Sequence, residues 1–416
     1  MVNKDMPLVS IIIPVYNGSN YLKDAIESAL NQTYEHCEII VINDGSKDDG
    51  ATERIAKSYG NKIRYYAKEN GGVASALNLG IREMKGEYFS WLSHDDIYYP
   101  DKVKKEVEAI LASRDVTNLI QAEYEFYHMG SKTYTPTDFH KYYDVKEITN
   151  SIFSVMQLQF HACSALIHKS HFERVGIFDE SLRTLQDIDM WFRIFRGQKS
   201  LFLPEILHIV REHEEAGSNT ISCYEEEQGK TYLKMVKALD YHEMEEVFGN
   251  APAFLCRIAG YLKSYKRTLE YEEMKKYLQD VPKDRIEEEE TSIAQFREYL
   301  KKISDGKEKK IAIFGAGHYG IRIKYELESR GIKPKYFIDN NPMKWGTTID
   351  GILCVSMEEA RKEKENLLIV LAQRNFTLGL KQVEEAGFSH YTTKQSLDAK
   401  ILHTLPAMSR IKEWIG

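Results

Sequence analysis

Between residues 8 and 96 the chain repeats one pattern: a short β-branched apolar run, a turn-rich polar segment, then apolar residues at helical spacing. The runs are LVSIIIPVY (8–16), EIIVIND (38–44), KIRYYAKE (62–69) and EYFSWLSHDD (87–96). The first two are apolar along their length, the mark of strands covered on both faces. The segments between them read as helices. Leu22, Ile26, Ala29 and Leu30 share one face of the first. Ser46 is the expected N-cap of the second, and the third ends at Gly86. Strand–helix alternation of this kind predicts a parallel, doubly wound sheet. Such sheets bind ligands at the carboxyl ends of their strands. Those ends carry Tyr16-Asn17, Asp44-Gly45, Asn70-Gly71 and His94-Asp95-Asp96, so four polar turns are expected along one edge.

At 416 residues the chain is too long for one ordinary domain. Residues 117–215 read as mixed, with an aromatic stretch from Tyr124 to Tyr143, a strand-like SALIH and a helix from about Asp187. Residues 221–304 read as a polar helical connector whose acidic run at 287–290 is a solvated face. A second βα pattern starts at Lys309, so a smaller Rossmann-like α/β domain is expected over 305–416, after a first domain over 1–220.

A net charge of −7 gives no general attraction for nucleic acid or anionic lipid. Any phosphate must be bound by a local site, most simply one containing a cation. The five cysteines are scattered and form no CxxC, which argues for reduced thiols and against a disulfide framework or a zinc site. The N-terminal segment has no apolar stretch of leader length, and no apolar run is long enough to span a bilayer. A cytoplasmic protein is expected, with peripheral membrane contact left open.

Asp95 and Asp96 end a buried strand, where a carboxylate pair has little structural use. Carboxylate oxygens suit hard divalent cations, Mn2+ or Mg2+, and such a cation can neutralise a departing diphosphate. The other strand ends are compatible with that chemistry. PVYNG offers a tight turn and an aromatic face, NDGS offers Asp44 as a hydrogen-bond acceptor, and KENGG lets backbone approach a ligand closely.

Together these segments resemble family 2 glycosyltransferases, which have the GT-A fold. IIIPVYNGSNYLKDAIESALNQTYEHCEIIVINDGSKD, ENGGVASALNLGI and GEYFSWLSHDD carry the resemblance, and it continues through RVGIFDESLRTLQDIDMWFRI and VREHEEAGS. It implies an inverting transfer of a hexose from a UDP-sugar, UDP-galactose or UDP-glucose by family frequency, to a glycan or glycoprotein hydroxyl. It implies that Pro14, Tyr16, Asn17 and Asp44 bind the nucleobase and ribose, and that Asn70, Gly72 and Asn78 line the nucleotide side. The family's acidic motif falls on Ser93, His94, Asp95 and Asp96, with Ser93 in the usual first acidic position. Asp95, Asp96 and His213 are the implied metal ligands. Asp187 is the implied base, Asp189 its fallback, and Gln186 stands where the family commonly has glutamate. Trp191 reads as core, while His161 and Gln186 are candidates to face the acceptor.

The C-terminal segment holds a second motif. Gly315, Gly317 and Gly320 follow the strand IAIF and open a helix, with Asp339 24 residues after Gly315. This is a dinucleotide fingerprint in its expected setting. It keeps an NAD-linked oxidoreductase as an alternative, although no residue there reads as a hydride-transfer acid or base. The segment resembles small Rossmann-like domains attached to sugar-modifying enzymes, which favours a scaffold or homo-oligomer role. The substitutions at Ser93 and Gln186 keep an inactive sugar-nucleotide-binding module as a further alternative.

Overall fold

The computed structural model describes residues 6–157, 160–215, 221–279, 286–373 and 375–407. The last three residues of VREHEEAGS lie outside that set. The chain forms two compact units, Met1–Glu227 and Gln228–Gly416.

In the first unit, β1 (Val9–Val15), β2 (Cys37–Asn43), β3 (Arg64–Ala67) and β4 (Tyr88–Trp91) are parallel in the order β3-β2-β1-β4. All seven residues of β1 are buried, as the apolar run requires. Helices α1 (Leu22–Leu30), α2 (Ala51–Ser58) and α3 (Val73–Glu83) connect them. Helix α2 begins later than expected. Its N-cap is Gly50 in the left-handed region, Asp48 accepts from Thr52 N–H at 2.9 Å, and the Ser46 hydroxyl instead accepts from Asn17 N–H at 2.9 Å.

The sheet then continues with strands that are not parallel throughout. β5 (Ile97–Tyr98) precedes α4 (Lys102–Ser113). β6 (Leu119–His128) follows, then β7 (Thr133–Pro136), β8 (Ala165–His168), α5 (Gln186–Phe195) and β9 (Ser200–Glu212). The order runs β4-β8-β6-β9-β5, with β8 antiparallel to β4 and β6, β9 parallel to β6, and β5 antiparallel to β9. The result is the mixed α/β sheet of a GT-A fold.

In the second unit, the described residues up to Lys302 form helices and short turns, from the helix that begins at Tyr224 in the first unit onward, and precede a six-stranded sheet ordered β12-β13-β11-β10-β14-β15. β10 (Lys310–Phe314), β11 (Tyr336–Ile338), β13 (Ile352–Val355), β14 (Leu367–Leu371) and β15 (Tyr391–Thr393) are parallel, and β12 (Thr348–Ile349) pairs antiparallel with β13. Helix α6 (Ala251–Ser264) packs on α7 (His318–Glu328) and α8 (Lys394–Leu402). Arg257 and Arg322 bond Glu326 at 3.0 and 2.7 Å, and Arg322 donates to both Asp398 oxygens at 2.9 Å. No helix among the described residues is long and apolar enough to cross a membrane.

Candidate active site

The parallel register sets the depth of each strand end. Val15 lies opposite Asn43, Asn43 opposite Ala67, and Ile12 opposite Trp91. The turn after β4 therefore reaches the level of the β1 end. A Cβ on Gly18 would lie 2.3 Å from the His94 ring, so the absence of a side chain there lets the two turns meet. Asn17 sits at φ 50° and ties this turn to the next, its side-chain Oδ1 accepting from Lys47 N–H at 2.7 Å. Tyr16 beside it is 42% exposed, a free aromatic face, whereas Pro14 is buried within β1.

Asp44 is nearly buried, and its carboxylate is well supplied with donors. Lys68 Nζ reaches Oδ1 at 2.7 Å, Gly71 N–H reaches Oδ1 at 3.0 Å and Gly72 N–H reaches Oδ2 at 2.7 Å. Asn70 Nδ2 donates to the Asp44 carbonyl at 3.0 Å. Asp44, Asn70 and Gly72 thus form one clamp that shapes the β3–α3 turn, and Gly72 at φ 87° makes its bend. Lys68 was not singled out in the sequence; its place at the end of a strand-like run was the available signal. Asn78 is placed elsewhere. It is fully buried, and its amide engages Phe178 N–H, the Phe178 carbonyl and Glu180 Oε1 at 2.9, 3.0 and 2.8 Å. All its main hydrogen-bonding capacity goes to holding the loop that precedes α5.

β9 brings the distant groups to the acidic turn. Ile97 pairs with Ile209, so the end of β9 passes Asp95 and Asp96. The two neighbouring aspartates face different partners. Asp95 Oδ2 lies 3.1 Å from His213 Nε2, and its Oδ1 lies 3.9 Å from His94 Nδ1. Burial opposes the Asp95 charge, but the His213 hydrogen bond and the nearby imidazole of His94 outweigh it and hold the carboxyl below the usual range. Asp96 turns inward. Its Oδ1 accepts from Arg211 N–H at 3.1 Å and its Oδ2 from the Cys163 thiol at 3.4 Å. Desolvation and the adjacent Asp95 push its carboxyl well above the usual range. Ser93 also faces this thiol, its N–H at 3.4 Å and its hydroxyl at 3.5 Å from Sγ. His161 Nε2 lies 4.0 Å from Asp96 Oδ2. Among the described residues, Asp96, His161 and Cys163 have donor atoms all within 4.8 Å of one another.

Asp187 stands in the first turn of α5, whose N-cap makes no side-chain hydrogen bond. The residue is partly exposed, and the protein packed around its carboxyl desolvates it. That desolvation pushes the group up to about 6, against backbone hydrogen bonds at Ile188 and Asp187. Among the described residues no side chain pairs with it. Gln186 beside it is buried, and its Oε1 has no partner among the described residues. Asp189 is different: it accepts from Arg193 Nε at 2.9 Å, and Arg193 also donates to the Val175 and Ile177 carbonyls at 2.7 and 3.1 Å. The fallback base is therefore tied up in bracing the loop before α5. Trp191 is fully buried between Phe160 and Phe178, as a core residue. A further anchor comes from Glu227, which lay in the segment read as a connector. It accepts from Arg183 N–H at 2.9 Å and from Thr184 N–H and hydroxyl at 2.8 and 2.7 Å. Nothing local in the sequence announces that contact.

In the second unit, Gly315 at φ 111° makes the turn after β10, and a Cβ on Gly320 would lie 1.9 Å from the Gly315 carbonyl oxygen. The Asp339 carboxylate accepts from Ala316 N–H, Asn341 N–H and Lys344 Nζ, each at 2.9 Å.

A mixed sheet with an acidic turn and a desolvated helix carboxylate defines a GT-A-type α/β protein. Comparison with known proteins agrees. The sequence model of "Glycosyl transferase family 2" matches residues 10–176. An uncharacterized glycosyltransferase of Rickettsia typhi is 44% identical over 275 residues, 64% of this chain and 85% of that protein. The chain belongs to glycosyltransferase family 2. A related glycosyltransferase of Rickettsia bellii is 46% identical over 266 residues, 62% of this chain, and the match spans only 37% of that longer protein. Among solved structures, TarS 1-349 of S. aureus in complex with UDP-GlcNAc shares the fold at a TM-score of 0.50 and 14% identity, over 78% of this chain and 92% of that one.

Proposed function

We propose that the chain transfers a hexose from a UDP-sugar to a hydroxyl of a glycan acceptor, with inversion, and that Asp187 is the base. The observation that carries this reading is the Asp187 carboxyl: desolvated, unpaired by any described side chain and pushed up to about 6. A carboxylate with that affinity for a proton is ionised at neutral pH yet accepts a proton more readily than an exposed one. In the reaction the acceptor hydroxyl gives its proton to Asp187 as its oxygen bonds the anomeric carbon. The bond from that carbon to the diphosphate breaks in the same displacement, and UDP leaves with the electron pair. Gln186, whose carbonyl has no partner among the described residues, suits a hydrogen bond from a neighbouring hydroxyl of the acceptor, not the one that reacts.

Asp95 and His213 fit a divalent cation of the Mn2+ or Mg2+ kind. Their donor atoms already converge to 3.1 Å, and Asp95 favours its ionised form. Such a cation, when bound, neutralises the diphosphate charge. Tyr16 and Asn17 fit the base end of the donor, with the Asp44, Asn70 and Gly72 clamp shaping its floor, and Ser93 and His94 lie along the same edge. The uridine assignment draws on the family and on TarS, described with UDP-GlcNAc. Surface polysaccharide or glycoprotein glycan synthesis is the setting the family favours; the chondroitin synthase of Pasteurella multocida is 46% identical over 101 residues, 24% of this chain and 10% of that protein.

The test is a panel of UDP-glucose, UDP-galactose and UDP-GlcNAc with and without Mn2+, read by UDP release and by calorimetry. The expected result is metal-dependent UDP binding and slow donor hydrolysis. Absence of metal-dependent UDP binding would leave a transferase-like module without this activity.

A further inference from the structure

We propose that Asp96, His161 and Cys163 form a second, buried cation site that takes a thiophilic ion of the zinc class. The site is distinct from the cation at Asp95 and His213. The two ligand sets share no atom: one uses Asp95 Oδ2 and His213 Nε2, the other Asp96 Oδ2, His161 and Cys163 Sγ. The three donors of the second set are an oxygen, a nitrogen and a sulfur, all within 4.8 Å of one another. Two of the separations are 3.4 Å (Oδ2 to Sγ) and 4.0 Å (Oδ2 to Nε2). Those are the edges of a small polyhedron that an ion with bonds of about 2.0–2.3 Å can occupy after slight closure. A thiolate with an imidazole selects zinc over magnesium or manganese.

Surrounding groups already hold the ligands. Arg211 N–H fixes Asp96 through Oδ1 and leaves Oδ2 toward the other two. His161 Nδ1 lies 3.2 Å from Nε2 of the fully buried His208 and 3.3 Å from the Cys163 N–H; with Nε2 on the ion, Nδ1 takes the proton and donates it to His208, the kind of outer hydrogen bond that orients a ligating histidine. Tyr124 stacks on the His208 ring at 5.1 Å. Asp96 and Cys163 are buried, while His161 keeps partial exposure and gives the ion a route in and a fourth position for water. Binding would release the thiol proton. No CxxC precedes this arrangement because β4, β8 and β9, far apart in sequence, assemble it.

The test uses the full chain, stripped with a chelator and titrated with Co2+ as a spectroscopic probe, then with Zn2+ against a chromophoric chelator. The expected result is one bound cobalt with a sulfur-to-metal charge-transfer band. That band should be lost in Cys163→Ser and kept in Asp95→Asn. Zinc binding should weaken more than ~10-fold in both Cys163→Ser and His161→Ala, each checked for folding by circular dichroism. A folded wild-type protein with no such band, or a band that survives Cys163→Ser, overturns the proposal. Mn2+-dependent UDP binding measured on the same samples separates the two readings: its loss with the cobalt band intact sinks the transferase assignment alone.

Discussion

The two α/β units place a glycine turn and an aspartate at the same position of a parallel sheet and then diverge in what else the edge holds. Asp44 follows β2 and is clamped by Lys68 with the amides of Gly71 and Gly72. Asp339 follows β11 and is clamped by Lys344 with the amides of Ala316 and Asn341. Both aspartates shape their turns. The first unit adds Asp187, which no described side chain pairs, and Asp95, which meets imidazoles. In the second unit the further buried carboxylates among the described residues, Glu326, Asp398 and Glu270, are matched by Arg257, Arg322 and Arg267. A glycine fingerprint and its aspartate can thus be a means of building a turn. Chemistry is indicated where a carboxylate remains poorly matched after folding.

The largest expected effect tests that contrast directly. Asp187→Asn should lower transfer by roughly 100- to 10,000-fold, the usual contribution of a positioned base, with UDP affinity unchanged. It should not lower the melting temperature at neutral pH. Burial raises this carboxyl to about 6 from an ordinary value near 4. The folded state therefore holds its proton more tightly than the unfolded chain, and the group's favourable contribution below pH 4 disappears as pH rises through 6. Above that, the ionised Asp187 costs on the order of 3 kcal/mol, which asparagine relieves. For the same reason kcat/KM in the wild type should rise as pH passes upward through about 6. An Asp187→Asn protein that melts lower, with transfer intact, would make this residue a structural group like Asp189.

The next effect lies in the second unit. Asp398→Asn leaves the fully buried Arg322 with a weakened counter-charge, and breaking such a pair costs roughly 3–5 kcal/mol. Thermal unfolding should show the loss, while Mn2+-dependent UDP binding at moderate temperature should not change. If UDP binding fell with it, the second unit would be contributing to the donor site and the contrast between the units would break.

The sequence made some of this division legible. β1, β2, β4, β10, β11 and β14 are short, mostly apolar and buried runs, so local pattern suffices. The β6–β9 pair was not readable in the same way. β6 carries Glu123 and Glu125, and its register against β9 shifts around those residues. Its polar side chains are satisfied by partners such as Thr137, His140 and Tyr99, which no local pattern predicts. The same holds in the site. Asp95 and Asp96 are adjacent in the chain, yet their environments differ because β9 delivers Arg211 and His213 while the segment before β8 delivers His161 and Cys163. Which residue of an acidic pair meets which partner is decided by strands more than sixty positions away.

The smallest effect is the sharpest check on the second edge. Asp339→Asn keeps an acceptor for the Ala316 amide and loses only the charge toward Lys344, whose side chain is 34% exposed. Solvent screens that pair, so the expected loss is about 1 kcal/mol or less. Hydrogen bonds and the Lys344 ammonium hold the Asp339 carboxyl below its usual range despite burial. Its contribution is therefore present above the ordinary carboxylate range and lost as pH falls through the lowered value, the opposite slope from Asp187. Sugar transfer should be unchanged in this variant. If calorimetry instead found NAD bound by the wild type and lost in Asp339→Asn, the clamp would have to open for a ribose. The second unit would then be a ligand site, and the unmatched carboxylate would no longer be what separates the two edges.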